Sequence, residues 1–191
     1  RYMLGILELE LDKPDDAVKD LSKYLESRAD DAHAIETLAA ALGRLHKPEE
    51  ALAHLQGVLA GASAQPKQQA LAAVLLLQAD KPAEAEKAAP AAAPIYGTIL
   101  RALARKAQGQ PYQPLVDSLD GVEGDIEQES GEILNDLTYL LGKEAGNAWL
   151  LDQFTKLQEG LPVSRVLSMA RSRVLYGLER YQDAIALLEP L

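Results

Sequence analysis

The sequence predicts an all-α protein, an α-solenoid of about six helical hairpins, and three observations carry that prediction. The strings Asp12-Lys13-Pro14-Asp15-Asp16-Ala17, His46-Lys47-Pro48-Glu49-Glu50-Ala51 and Asp80-Lys81-Pro82-Ala83-Glu84-Ala85 put their alanines 34 residues apart, and a fixed period of this size marks a repeat architecture. Between the strings, apolar residues recur at three and four, as in Leu38, Leu42, Leu45 and Leu52, Leu55, Leu59, which is helical spacing. No alternating pattern long enough for a strand occurs in the chain.

Each string reads as a turn followed by a helix start. Pro14, Pro48 and Pro82 suit the first helical turn, whose N–H groups lack partners anyway. Asp12 and Asp80 are expected to cap those N–H groups. Asp15, Asp16, Glu49, Glu50 and Glu84 place negative charge at the positive end of the helix dipole. Tyr181 to Leu188 repeats the pattern with Ala184, and weaker units fit around Gly109 to Pro114 and Leu150. The equivalent positions are then 17, 51, 85, 114, 150 and 184, spaced 34, 34, 29, 36 and 34. Twelve residues before each stands a small side chain: Gly5, Ala39, Ala73, Ala102, Thr138 and Ser172. Small residues at fixed offsets mark where two helices cross closely. Pro90 is expected to shorten the second helix of the third unit. It separates three regular repeats (1–92) from three degenerate ones (93–191), continuous with the first half. Trp149 and Phe154 read as core aromatics.

The period, the small residue twelve before the alanine and the aromatic three before it in Tyr181…Ala184 resemble the tetratricopeptide repeat over essentially the whole chain. The resemblance implies a right-handed superhelix and a non-enzymatic protein–protein interaction scaffold. Family packing positions fall on Leu4, Leu21 and Tyr24, on Leu38, Leu42, Leu55 and Val58, and on Leu134, Leu137, Leu141, Phe154 and Leu157. Inner-face positions fall on Tyr2, Ile6, Leu9 and Glu10, on His33, Glu36, Ala40 and Arg44, and on Lys67, Ala70, Val74, Leu77 and Gln78. In the fifth unit they fall on Glu132, Asn135, Tyr139 and Lys143, and in the sixth on Arg173 with Tyr176. This mixture suits an extended peptide or amphipathic helix. The family branch that clamps a chaperone's C-terminal carboxylate requires Lys and Asn where this chain has Tyr2, Ile6 and Thr37; only Lys67 matches. The chain is similar to the long repeat regions of bacterial envelope proteins, such as periplasmic scaffolds of exopolysaccharide export, which favours a periplasmic location over a cytoplasmic one. The alternatives are a cytoplasmic peptide-binding chaperone or assembly factor, and a structural spacer self-associating through open repeat ends. In the repeat register the chain starts and stops inside helices, so a piece of a longer array is expected.

A net charge of −10 speaks against nucleic acid, whose binding is driven by Lys and Arg. No apolar run reaches 18 residues, so membrane insertion is not expected. The chain has no Cys, which removes thiol chemistry. His33, His46 and His54 lack the spacing of a metal pair on one helix, and no nucleophile elbow or phosphate-binding loop is present. Neither catalysis, a cofactor nor a metal is expected.

Charge is uneven along the chain. Between Lys106 and Lys143 there is no Lys or Arg, while Asp117, Asp120, Glu123, Asp125, Glu127, Glu129, Glu132 and Asp136 supply eight acids. This stretch reads as a solvated linker and helix start, as a docking strip for a basic partner, or as a weak cation site. Conversely, Val163 to Leu178 carries Arg165, Arg171 and Arg173 and no acid. Arg173 with Tyr176 is expected to bind a carboxylate-bearing segment, or else Arg173 pairs with acids of the neighbouring repeat.

Overall fold

A computed structural model describes residues 1–60 and 64–191, and every regular element among them is helical. Helices α1 (Tyr2–Glu10) and α2 (Pro14–Leu25) form a hairpin, as do α3 (Ala32–Arg44) with α4 (Pro48–Leu59) and α5 (Pro66–Gln78) with α6 (Pro82–Ala88). Then come α7 (Pro94–Ala107) with α8 (Gln113–Ser118) and a 3₁₀ turn, Leu119–Gly121. A continuous helical stretch follows: α9 (Ile126–Glu129), a π-helical turn (Ser130–Leu134) and α10 (Asn135–Leu141). α10 pairs with α11 (Lys143–Gln158), and α12 (Arg165–Gly177) pairs with α13 (Tyr181–Leu188).

Five of the hairpins reverse direction in the same way. Asp12, His46, Asp80, Gly109 and Glu179 have φ of 54°, 56°, 56°, 67° and 59°. The residue after each donates its N–H five residues back, Lys47 to the Leu42 carbonyl at 2.9 Å and Lys81 to Leu76 at 2.8 Å, for example. This bond and the left-handed residue close the carbonyl end of the preceding helix. The structure therefore corrects the expected role of Asp12 and Asp80. They end one helix rather than cap the next, whose N-caps, Lys13 and Lys81, accept no side-chain bond. Short polar residues tolerate φ > 0 better than branched ones, which is why Asp and His recur here. The prolines do stand at the first turn of α2, α4 and α6.

The fourth hairpin departs from the expected register. Pro111 and Tyr112 intervene between the turn and α8, so Val116 takes the buried place held by Ala17 and Ala51, and Pro114 is exposed. The crossing of α1 over α2 is as close as the small residue implies, since a Cβ on Gly5 would lie 2.5 Å from Leu21 Cγ. α6 is cut to 7 residues against 12 in α2 and in α4. The chain then passes Pro90 so tightly that a Cβ on Gly97 would meet the Pro90 carbonyl oxygen at 1.9 Å.

Two large core clusters form, with a small third one of Leu76, Ala85 and Ala104. One gathers α1 to α5 around Leu21, Leu38, Leu42, Leu55 and Leu75. The other gathers α5, α7, α8 and α10 to α12 around Val74, Tyr96, Ile99, Leu137, Leu150, Phe154 and Leu167, with Trp149 packed against it. α5 and α10 join both, because Val74 and Leu137 belong to the second cluster and Leu75 and Leu140 to the first.

The acid-rich stretch holds the expected linker, residues 122–125 and mostly exposed, and the acidic start of α9, and several of its acids have partners elsewhere in the fold. Asp120 accepts from the N–H groups of Val166 at 2.8 Å and Arg165 at 3.1 Å and from the Ser164 hydroxyl at 3.1 Å, so it caps α12 from 44 to 46 residues away. Buried Glu129 accepts from the N–H groups of Tyr96 at 2.9 Å and Ile95 at 3.3 Å, capping α7. Glu127 pairs with Arg173, and Asp136 with Lys67. Among the described residues, no group of three or more metal-binding side chains converges.

Burial pushes the Asp120 carboxyl up, but the N–H groups of Val166 and Arg165 and the Ser164 hydroxyl outweigh it and hold the carboxyl below its ordinary value of 3.8. A depressed folded value means stability that is complete above 3.8 and lost as pH falls through the lower folded value. Asp120→Ala should cost about 1 kcal/mol near neutral pH, and the gap from the parent protein should close in urea titrations on acidification below 3.8. Gly97→Ala should cost about 2 kcal/mol, since backbone must move to admit the methyl group, and calorimetry should show Tm lower by roughly 4–8 °C.

Candidate partner-binding surface

The inner-face residues separate into two groups and a remainder. Tyr2, Glu36, Lys67 and Tyr139 come together with His33, Gln68 and Asp136 around a cavity of about 120 Å³ between α1, α3, α5 and α10. Lys67 Nζ sits 3.6 Å from a carboxylate oxygen of Glu36 and 3.6 Å from one of Asp136. Gln68 donates to Glu36 as well. Burial pushes the Asp136 carboxyl up, and Lys67 pulls against that shift. Burial likewise raises the Tyr139 phenol, with the Glu10 charge acting in the same direction.

Arg44 is committed to the fold. Its side chain is 10% exposed. It donates from Nε to the Tyr139 carbonyl at 3.0 Å and from an η nitrogen to the Leu9 carbonyl at 2.6 Å, and it lies 5.4 Å from the centre of the Tyr139 ring. Both carbonyls belong to last turns, where intrahelical partners run out, so the guanidinium serves the end of α10 and adds a second donor to Leu9, which also accepts from the Asp12 N–H at 3.1 Å. Leu9 and Val74 are buried in the two cores and offer no open surface. Ile6 and Gln78 are half-buried on α1 and α5.

Lys143, Arg173 and Tyr176 form the second group, around a cavity of about 260 Å³ where α10, α11 and α12 meet. Arg173 pairs with Glu127 at 3.2 Å, both partners being exposed. This is the neighbouring-repeat pairing that the Arg-rich helix suggested. Tyr176 is exposed and stacks edge-on with Tyr181, ring centres 5.4 Å apart.

The Ser and Thr hydroxyls lining both cavities are engaged by the protein. Thr37 donates to the His33 carbonyl at 2.7 Å, Thr138 to the Asn135 carbonyl at 3.0 Å, and Ser130 bonds the Tyr96 hydroxyl at 2.9 Å. What remains on offer is charge, amide and aromatic surface, the chemistry of recognition. Sequence reasoning missed Gln68 and Asn147, which carry no motif, and it read Asp136 as part of an acidic strip rather than as a partner of Lys67. No family model matches the chain, and no curated protein matches it significantly.

Arg44→Lys should destabilise the protein by about 2 kcal/mol and Arg44→Ala by more. A single ammonium cannot reproduce the planar fork, and a carbonyl left without a donor, here that of Tyr139 since Leu9 keeps the Asp12 N–H, costs roughly 1–3 kcal/mol. Urea unfolding of the two variants checks the order.

Proposed function

We propose that this chain is a protein–protein interaction scaffold, a tetratricopeptide-like solenoid whose stacked hairpins form a right-handed superhelix. The observation that carries this reading is the recurrence of one helix–turn–helix reversal in five of the hairpins. Units of this kind bury their apolar faces against neighbours and leave an extended surface for partners. α10 packs against α3 and α5, so the surface left for a partner centres on Lys143, Arg173 and Tyr176. The setting we propose, on the resemblance alone, is the bacterial periplasm, within an array that recruits enzymes beside an exopolysaccharide export pore. Immobilised chain should retain a protein from envelope fractions of the source organism, and Arg173→Glu with Lys143→Glu should abolish retention. Retention of nothing by the parent chain would defeat the scaffold reading.

A second reading, self-association, rests on the apolar faces of the first and last helices. Met3, Leu4, Leu7 and Leu11 of α1 and its turn are exposed, as are Tyr181, Ile185 and Leu188 of α13. Leu4 is 46% exposed, whereas Leu38, one period later, is 1% exposed. Sedimentation velocity should then show mass rising with concentration and Leu4→Glu/Ile185→Glu should suppress the rise; a monomer throughout would exclude it.

A further inference from the structure

Glu36 of α3 and Asp136 of α10 line the cavity of about 120 Å³, and Lys67 of α5 stands between them. Lys67 Nζ is 3.6 Å from each carboxylate, beyond the usual length of a hydrogen bond, so two anions share one ammonium loosely. Glu36 lies deeper, its side chain 16% exposed against 44% for Asp136. The buried Gln68 amide holds Glu36 in place, donating to it while its own oxygen accepts from the Gln65 N–H at 2.9 Å. Burial pushes the Asp136 carboxyl up against the pull of Lys67, and the Glu36 charge adds to the push.

The shortage of positive charge extends beyond this pair. An adjoining open cleft is lined by Lys67, Asp136 and Glu132, so Lys67 and Asp136 face both spaces. Among the described residues lining the two, three carboxylates meet Lys67 and no other Lys or Arg. The cavity also has apolar walls, from buried Ala40, Leu71 and Leu140 and from the half-buried rings of Tyr2 and Tyr139. An enclosed space of about 150 Å³ takes up a ligand the size of benzene, so this slightly smaller one admits a short alkyl chain. A cation carried on such a chain matches both kinds of wall, and Lys67 itself shows that an ammonium fits between these two carboxylates.

We propose that this cavity binds a primary alkylammonium ion. The incoming ammonium takes the place between Glu36 and Asp136, its alkyl chain lies against Leu71, Leu140 and the tyrosine rings, and Lys67 turns into the open cleft toward Glu132. The site goes beyond the scaffold reading and does not depend on it. A lysine side chain of a partner protein and a free diamine present the same group, and the experiment separates them.

The test is a ¹⁵N-resolved NMR titration of the full chain that follows the Gln68 side-chain amide and the Tyr139 N–H. Three probes are compared: N-acetyl-lysine methylamide, 1,5-diaminopentane, and N-acetyl-norleucine methylamide, which lacks the charge. Both signals should move with one or both charged probes and stay still with the neutral one. Movement with the first alone assigns a lysine side chain, and with the second alone a free diamine. Glu36→Gln should weaken binding about tenfold, the size expected for losing a charge-assisted hydrogen bond. Lys67→Met should tighten it by up to about fivefold, because the internal ammonium no longer competes; a merely structural role for the ion pairs would not produce that gain. The proposal is overturned if neither charged probe moves the signals, if the neutral probe moves them equally, or if Glu36→Gln binds as tightly as the parent chain. Should Lys67→Met fail to fold, the parent and Glu36→Gln chains decide by the same criteria. Ammonium binding here with no partner protein retained would overturn the scaffold reading and leave this site standing.

Discussion

The unpaired ends of helices set how this chain closes on itself. Every helix leaves N–H groups at one end and carbonyls at the other, and in a chain of short helices those groups are numerous. Arg44 serves two carbonyl ends together, on α1 and on α10. That bond fixes α10 against the early hairpins, where Leu140 enters their core while Leu137 stays in the other. α5 also feeds both clusters, through Val74 and Leu75, so the two are joined by α5 and α10 together.

The acid-rich stretch does the complementary work at N–H ends. Asp120 and Glu129 cap α12 and α7, and they do so across sequence distances that local capping never spans. The cost falls on Glu129. Burial pushes its carboxyl up, and the N–H groups of Tyr96 and Ile95 recover part of the charged form. The absence of Lys and Arg between positions 106 and 143 thus reflects the partners this stretch meets in the fold, which are helix N-termini and the cations Arg173 and Lys67.

These commitments decide which surface is left. Residues of the first three hairpins that a repeat register turns inward are drawn into pairs with α10, as Lys67 is with Asp136 and Arg44 with Tyr139. The cavity beside α12 is lined by Lys143 and Arg173 and by no acid. The cationic surface left open lies on the later hairpins, where the repeat signal is weakest.

The helical hairpins were legible in the sequence because a turn depends on its own few residues. The Pro-led helix starts, the close crossing at Gly5 and the early end of α6 near Pro90 are local properties of that kind. The role of Asp12 was misjudged on equally local ground, since a cap and a left-handed helix end attract the same short polar side chains. In the fourth hairpin two extra residues displaced the register from Pro114 to Val116, a shift that only packing reveals. Position 44 could be assigned to a face by counting, but not to the carbonyls of Leu9 and Tyr139, 35 and 95 residues away. Periodicity by itself determined the class of element and where the hairpins reverse. Tertiary structure alone decided which charges meet, because ion pairs and remote caps follow distance in space and not separation along the chain.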